Sequence, residues 1–295
     1  MRLIRNSNNY GYFFILPFFI LFFVFSLYPI IYTFILSLNE YDGMADKVYV
    51  GFKNYKTLIG DHYFWMSIKS TWRIWLVNII PQVGVALWLA AVFTFNRIKG
   101  QAFFRAFFYL PNLVTAASIA LLFNVLLDWQ NGVINQALYG LGLVTEKINW
   151  LRMPSASQNW VAFIQFWMWY GQTTILLLAG MSAIPTSYYE AAIADGANKT
   201  KIFFFITLPL LRPTMIYVII TSMIGGMQIF DIPMVLTDGR GAPEYSLNTM
   251  VIYLYNQAFT YNNMGFASAI AYGIFMLIAV FSFIVYFMIQ RKEDN

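Results

Sequence analysis

The chain has 295 residues, of which 60% are hydrophobic, 20% aromatic and only 11% charged, and its formal net charge is +5. Soluble domains average about 25% charged residues, so this composition excludes a water-soluble globule and indicates an integral membrane protein. Cysteine is absent and His62 is the single histidine. Disulfide and thiol chemistry are therefore excluded, and a metal site or a histidine-dependent catalytic group is disfavoured. The basic residues lie in short segments between apolar runs, where they report membrane orientation rather than nucleic-acid binding.

Six apolar runs are long enough to cross a bilayer, because a spanning helix needs about 20 apolar residues. The predicted spans cover residues 12–38, 68–95, 103–127, 159–184, 213–236 and 264–289. The first run is too long for a signal-peptide core and no small-residue cleavage site follows it, so we interpret it as a retained helix. Internal prolines are compatible with spanning, since neighbouring helices can satisfy the freed backbone groups. The chain is thus predicted to form one all-α transmembrane domain over residues 1–295.

Lysine and arginine are unevenly distributed over the connecting segments. Ten of them occur in 53 residues of one set of segments, and six occur in 86 residues of the alternate set. The first set comprises 1–10, 96–105, 185–212 and 291–295, and the second comprises 39–68, 128–158 and 238–262. The positive-inside rule assigns the richer set to the cytoplasm. Both termini and the 185–212 loop are therefore predicted to be cytoplasmic.

The 185–212 loop contains the stretch EAAIADGANKTKIFFFITLP at residues 190–209. Ser187 and Glu190 fit a capping box, which predicts a short helix beginning near residue 188. Gly196 can adopt the left-handed conformation that ends such a helix, and a second amphipathic helix is predicted over residues 199–208. The local pattern alone also permits an interfacial helix without any partner.

Three segments carry a resemblance to a known family. The spacing of Glu-Ala-Ala at 190–192, Gly196 and Ile-Thr-Leu-Pro at 206–209 resembles the EAA loop of binding-protein-dependent ABC importers. Residues 49–55, YVGFKNY, resemble the Phe-Val-Gly-Leu-x-Asn-Tyr signature of carbohydrate permeases. Residues 237–243 resemble their Thr-x-Gly-Gly-Pro loop, with Arg240 and Ala242 interrupting the pattern. The beginning of the chain and its RKEDN tail resemble the maltose-permease-F-like type.

The resemblance implies a type I importer permease in a bacterial plasma (inner) membrane, with a cytoplasmic coupling helix. It implies a heterodimer with a second homologous permease, two ATP-binding subunits, and an extracytoplasmic solute-binding protein that delivers a sugar to compact outer loops. The residues it assigns to ATPase coupling are Glu190, Ala191, Ala192, Asp195, Gly196, Ile206, Leu208 and Pro209. The sequence has no Gly-Lys dipeptide, and hence no Walker A phosphate loop. We therefore expect a chain that is not an enzyme and binds no cofactor, with ATP and Mg²⁺ held by partner subunits.

Polar side chains within the predicted spans are candidates for a substrate pathway, since such residues usually face the bundle interior. Span four offers Gln165, Trp169 and Gln172, whose spacing places them on one helical stripe, and span five offers Ser222, Gln228 and Asp231 around a Gly-Gly pair. Amides donate and accept hydrogen bonds, which suits a sugar. Weaker candidates are Asn78, Gln82 and Asn124. Such residues can instead only tie helices together, at about 0.6 kcal/mol per contact.

Three other functions stay open from the residues. An ABC permease for glycerol phosphate or an amino acid would have the same loop, although a phosphate substrate favours a basic patch that spans four and five lack. A membrane-embedded enzyme needs a constellation of His, Asp or Glu that the chain hardly supplies. A secondary transporter is expected to show inverted repeats or ionisable relay residues.

Overall fold

The computed structural model describes residues 8–44, 46–96 and 98–290, most of which are helical. The α-helices are α1 Asn8–Phe22, α2 Tyr28–Ser37, α3 Lys53–Gly60, α4 His62–Phe95, α5 Gln101–Leu113, α6 Ala116–Leu126, α7 Val133–Gly140, α8 Pro154–Ser182, α9 Thr186–Ala194, α10 Lys199–Ile202, α11 Leu208–Leu210, α12 Arg212–Met227, α13 Asp231–Thr237, α14 Met250–Tyr255 and α15 Met264–Gln290. Turns of π-helix cover Phe23–Leu27, Phe203–Thr207 and Asn256–Thr260, and a 3₁₀ turn covers Trp150–Arg152. Strands β1 (Asn39–Glu40) and β2 (Val48–Tyr49) pair in antiparallel register.

Five helical stretches in the described ranges are long and apolar enough to cross a membrane. They are Tyr12–Ser37, His62–Phe95, Pro154–Ser182, Arg212–Thr237 and Met264–Met288. The pair α5 and α6 supplies a sixth span if it is counted as one, although the two helices meet at 87°. The predicted all-α fold is confirmed, and its six spans are reached with this bent pair. The largest shifts in boundary are at the starts of α4 and α8, which begin six and five residues earlier than the predicted spans.

The third predicted span is broken at Val114 and Thr115. Both residues have extended backbone, with ψ of 141°. The Thr115 hydroxyl accepts a hydrogen bond from the backbone N–H of Ser118 at 3.3 Å and so caps the first turn of α6. A capping side chain offers the backbone an alternative to continuing the preceding helix. The apolar run over 103–127 therefore forms two helices rather than one straight helix, because a local Thr-x-x-Ser cap lies within it.

The fifth predicted span is also interrupted. Helix α12 ends at Met227, Phe230 has φ of −134° and ψ of −59°, and α13 begins at Asp231. The Gly225-Gly226 pair directly precedes this end, and glycine has low helix propensity. Irregular backbone at membrane depth is tolerated where it is buried in protein or lines a cavity. This break in the helix is therefore expected to line a cavity.

The chain divides into two compact units, of which the larger comprises residues 62–253 and 276–290 of the described chain. Its core is formed where α4 and α8 pack along each other, with α5, α6, α12 and α13 around them. Two buried clusters fill this core. One contains Ile74, Ile119, Phe123, Ile164 and Met168, and the other contains Ala86, Leu89, Phe93, Leu177 and Met181. Gly171 brings α8 against α5, because a Cβ at this residue would lie 1.9 Å from the Phe108 carbonyl oxygen.

The smaller unit comprises residues 8–61 and 254–275 of the described chain. The Asn54 amide donates hydrogen bonds to the carbonyl oxygens of Ser37 and Asn39, both at 2.9 Å. The Tyr55 hydroxyl lies 2.7 Å from the Ser37 hydroxyl, and Gly51 has φ of +57°, which favours glycine. The 49–55 signature therefore ties the hairpin loop to the end of α2.

A second polar contact in this unit involves Lys47, which precedes β2. Its ammonium donates a hydrogen bond to the Tyr32 hydroxyl at 2.7 Å and lies 4.5 Å from the centre of that ring. This hydrogen bond raises the pKa of Lys47 above its ordinary value. Since the ammonium stays charged, its contact with the aromatic ring is a cation–π interaction at all physiological pH values.

Candidate functional site

A cavity of about 260 Å³ lies in the larger unit among α4, α8, α12 and α13. All six residues predicted for the substrate pathway line this cavity. They are Gln165, Trp169, Gln172, Ser222, Gln228 and Asp231. The structure therefore brings the polar stripe of span four against the polar residues of span five, which the sequence separates by about 50 positions.

The α8 side of the cavity presents amides and an indole. The Trp169 indole N–H donates a hydrogen bond to the Gln165 side-chain oxygen at 3.0 Å, across one helical turn. The Trp169 side chain is 41% exposed. The Gln165 amide nitrogen has no hydrogen-bond partner in the part of the chain that the structure describes, and Gln172 is half-buried one turn further along. This wall combines available amide hydrogen-bonding groups with an open aromatic surface.

The opposite wall is built on the break between α12 and α13. The Ser222 hydroxyl accepts a long hydrogen bond, 3.4 Å, from the Trp75 indole N–H. Gly226 packs against Trp75 so closely that a Cβ there would lie 2.1 Å from the indole Cδ1. Gln228 and Asp231 are exposed to the cavity at the break itself. Asp231 is the first residue of α13, so its carboxylate lies at the end of the helix where a negative charge is favoured.

The weaker candidates on α4 and α6 have different environments. Asn78 and Gln82 both line the cavity and are 4% exposed. The Gln82 amide donates to the Thr173 hydroxyl at 2.8 Å, which ties α4 to α8. The buried Asn78 side-chain oxygen accepts no hydrogen bond from any described residue. Leaving such a buried acceptor unpaired costs about 1–3 kcal/mol, so Asn78 is suited to accept from a hydroxyl entering the cavity. Asn124 is exposed on α6 and does not line the cavity.

Several lining residues were not among the sequence candidates. Tyr217, Thr221, Thr173 and Phe230 complete the polar and aromatic part of the wall. Extending the α12 stripe backwards from Gln228 at helical spacing passes Gly225, Thr221 and Tyr217. Helical spacing therefore identifies Thr221 and Tyr217. The position of Phe230 in the wall follows from the irregular backbone at the break, which the spacing does not reveal.

A second candidate site is the elbow formed by α9 and the helical stretch over residues 199–210. Gly196 has φ of +78° and ends α9. Its N–H bonds to the Ile193 carbonyl at 3.0 Å, and the Ala197 N–H bonds to the Ala192 carbonyl at 2.9 Å. These two bonds form a Schellman motif, so the predicted left-handed cap at Gly196 is confirmed.

The predicted start of α9 is wrong. Pro185 occupies the N-cap position and makes no side-chain capping hydrogen bond, and the helix begins at Thr186. Ser187 consequently lies inside the first turn and forms no capping box with Glu190. Pro185 has extended backbone, with ψ of 133°, and the helix begins directly after it, so Ser187 is the second helical residue and cannot act as the cap.

The eight residues assigned to coupling lie in two environments. Four of them, Glu190, Ala191, Asp195 and Gly196, are exposed on α9 and its cap, whereas Ala192 is 8% exposed. Ile206, Leu208 and Pro209 are half-buried in the next helical stretch. Two large apolar side chains of α9 are also exposed, Tyr188 at 53% and Ile193 at 63%. The first half of the motif is therefore available to a partner, and the second half supports the elbow.

A bundle of long apolar helices, a polar cavity at a helix break and an exposed elbow between two spans together define a multi-pass membrane permease. The family model described as "Binding-protein-dependent transport system inner membrane component" matches residues 82–294. The chain belongs to this family and is a component of the inner membrane. The predicted membership in the binding-protein-dependent importers is thus confirmed.

Curated relatives match over nearly the whole chain. It is 33% identical to the "Probable ABC transporter permease protein YesP" of Bacillus subtilis (strain 168), over 97% of this chain and 92% of the relative. It is 32% identical to the "Lactose transport system permease protein LacF" of Rhizobium radiobacter, over 98% of this chain and 97% of the relative. It is also 32% identical to the "Trehalose/maltose transport system permease protein MalF" of Thermococcus litoralis, over 98% of this chain and 96% of the relative.

Solved structures share the fold. A chain from the crystal structure of a bacterial ABC transporter involved in the import of the acidic polysaccharide alginate superimposes with a TM-score of 0.79 and 21% identity. The match covers 95% of this chain and 94% of that chain. A chain from a bacterial alginate ABC transporter in complex with alginate pentasaccharide-bound periplasmic protein superimposes with a TM-score of 0.80 and 20% identity. That match covers 99% of this chain and 98% of that chain. The importer permease fold is thereby established.

Proposed function

We propose that this chain is the permease subunit of an ATP-driven importer and forms one wall of the path for a sugar or oligosaccharide. The observation that carries the proposal is the cavity in which all six predicted pathway residues meet. Its amide, hydroxyl and indole groups match the hydroxyls and apolar ring faces of a carbohydrate. Its volume of about 260 Å³ lies just below the usual range for ligand pockets, which fits a site completed by a second subunit.

The chemistry of the lining disfavours the other solutes and an enzyme. Among the described lining residues, Asp231 is the one carboxylate, and lysine, arginine and histidine do not occur. A phosphate group in this cavity would meet a negative charge and no cation, so glycerol phosphate is a poor substrate. A single carboxylate also lacks the acid–base partner that hydrolytic or transfer chemistry requires. Names of relatives that refer to lactose and to trehalose/maltose support the same substrate class.

The remaining subunits follow from the proposal. A homologous permease pairs with this chain, an extracytoplasmic binding protein delivers the sugar, and two ATP-binding subunits supply the energy. Both termini and α9 lie in the cytoplasm, as the lysine and arginine distribution indicates. The exposed Tyr188 and Ile193 side chains give α9 apolar groups that a cleft in an ATP-binding subunit can bury. This chain hydrolyses no ATP and binds neither ATP nor Mg²⁺.

The proposal is tested by uptake of radiolabelled sugars into proteoliposomes that contain the assembled transporter, ATP and the binding protein. The double variant Trp169→Ala, Gln172→Ala is expected to reduce uptake about tenfold, the effect of losing roughly 1.4 kcal/mol of contact with the sugar, while stimulation of ATPase activity by the loaded binding protein persists. Asn124→Ala, a polar substitution in a span away from the cavity, is the matched control and retains wild-type uptake. Unchanged uptake in the double variant would contradict the pathway, and uptake of an anionic phosphate ester in preference to sugars would contradict the substrate class.

A further inference from the structure

An open groove on the side of α4 away from α8 has no part in the site described so far. Gly84, Trp88 and Phe95 of α4 line it, together with Lys199 and Phe203 of the elbow. The opposite side of α4, which includes Ala86, Leu89 and Phe93, is buried in the cluster that packs on α8. The groove has a volume of about 480 Å³ and is mostly apolar.

Polar groups are confined to one end of this groove. The Lys199 ammonium donates a hydrogen bond to the Asn96 side-chain oxygen at 2.9 Å, and Thr200 also lines the groove. Among the residues that the structure describes, no carboxylate lies within ion-pair distance of Lys199, and none lines the groove. The lysine is therefore a positioned cation without a counter-charge.

Glycine creates the apolar end of the groove. A Cβ added at Gly84 would meet no heavy atom within 4 Å, so the space over this residue is empty. Trp88 is 64% exposed beside it, and its indole offers an apolar surface that an acyl chain can cover. An apolar channel that ends at an unpaired cation matches an acyl chain joined to an anionic headgroup.

We propose that this groove binds one anionic phospholipid, with an acyl chain along Gly84, Trp88 and Phe203 and the phosphate at Lys199. Asn96 holds the lysine side chain toward the headgroup. The inference rests on the proposed function only in that residues 199–210 lie at the membrane surface. A zwitterionic lipid is disfavoured, because its own cation compensates the phosphate and competes with Lys199.

The experiment compares lipid retention by the assembled transporter purified in detergent containing equal amounts of phosphatidylglycerol and phosphatidylcholine. Native mass spectrometry counts each lipid per complex. Wild type is expected to retain phosphatidylglycerol preferentially, and Lys199→Ala to retain about fivefold less, the effect of losing one cation near a lipid surface. Lys201→Ala removes the same charge two residues away and outside the groove, and it is expected to change retention less than twofold.

A second variant tests the acyl chain. Gly84→Leu fills the empty end of the groove and is expected to lower retention of both lipids, whereas added glycerol phosphate displaces neither. The proposal is overturned if Lys199→Ala and Lys201→Ala act equally, if Gly84→Leu has no effect at an unchanged melting midpoint, or if the wild-type complex retains no lipid because a partner subunit covers the groove. Sugar uptake by the same preparations is a separate readout, so loss of the proposed function leaves the lipid result interpretable.

Discussion

The Gly225-Gly226 pair allows a sharp test of how the cavity wall is built. A Cβ on Gly226 would lie 2.1 Å from Cδ1 and 2.8 Å from Cγ of Trp75, whereas a Cβ on Gly225 meets nothing within 4 Å. Non-bonded carbon atoms prefer about 3.5–4.0 Å, so Gly226→Ala has to move the Trp75 ring by more than about 1 Å. Trp75 is 6% exposed and packs edge-on against Trp72 with ring centres 5.4 Å apart, which leaves little room for that movement.

Overpacking of this kind typically costs about 1–3 kcal/mol. At about 2–4 °C per kcal/mol for a large domain, Gly226→Ala is expected to lower the melting midpoint of the detergent-solubilised chain by roughly 2–12 °C. Gly225→Ala is the matched control. It has the same chemistry one residue away, and it is expected to be neutral or to stabilise by up to about 1 kcal/mol, because alanine favours helix. Differential scanning fluorimetry measures both midpoints, and equal midpoints for the two variants would refute the close contact of α12 with Trp75.

The other predictions concern the cavity, the elbow and the orientation. Asn78→Ala removes an unpaired buried acceptor and is expected to raise the KM for sugar uptake by about 2- to 12-fold, the worth of one hydrogen bond, while Asn124→Ala leaves KM unchanged. Gly196→Asp is expected to abolish co-purification of the ATP-binding subunit. Gly196→Asn is the uncharged control, since asparagine also tolerates a positive φ, and it is expected to retain the subunit. Equal co-purification by the two variants would exclude a charge effect at this cap. Because the chain has no cysteine, single-cysteine variants are clean probes. An impermeant maleimide is expected to label Lys147→Cys in intact cells and Ile193→Cys only after permeabilisation, and the reverse pattern would contradict the proposed orientation.

The sequence predicted the helical class, the membrane spans and part of the cavity lining, because each depends on a periodic signal. A spanning helix must be apolar over about 20 residues, and the stripe of Gln165, Trp169 and Gln172 repeats at helical spacing. The 87° bend between α5 and α6 has no periodic signal, since it depends on one threonine cap within an apolar run. The predicted capping box of α9 was wrong for a related reason, because the helix begins directly after Pro185 and leaves Ser187 inside its first turn.

The two candidate sites are joined by an almost continuous helical path, and this gives the proposed coupling a physical route. The elbow runs through residues 199–210 directly into α12, whose 16 residues span about 24 Å and end at the break that carries Gln228 and Asp231. Near the start of α12, a Cβ on Gly180 would lie 2.5 Å from the Thr214 hydroxyl oxygen, so α8 and α12 are in close contact there. In the proposed coupling, a displacement of α9 would reach both walls of the cavity, along α8 on one side and α12 on the other. The irregular backbone between Met227 and Asp231 is the segment best able to absorb it, because the regular helix of α12 ends at Met227 and that of α13 begins only at Asp231.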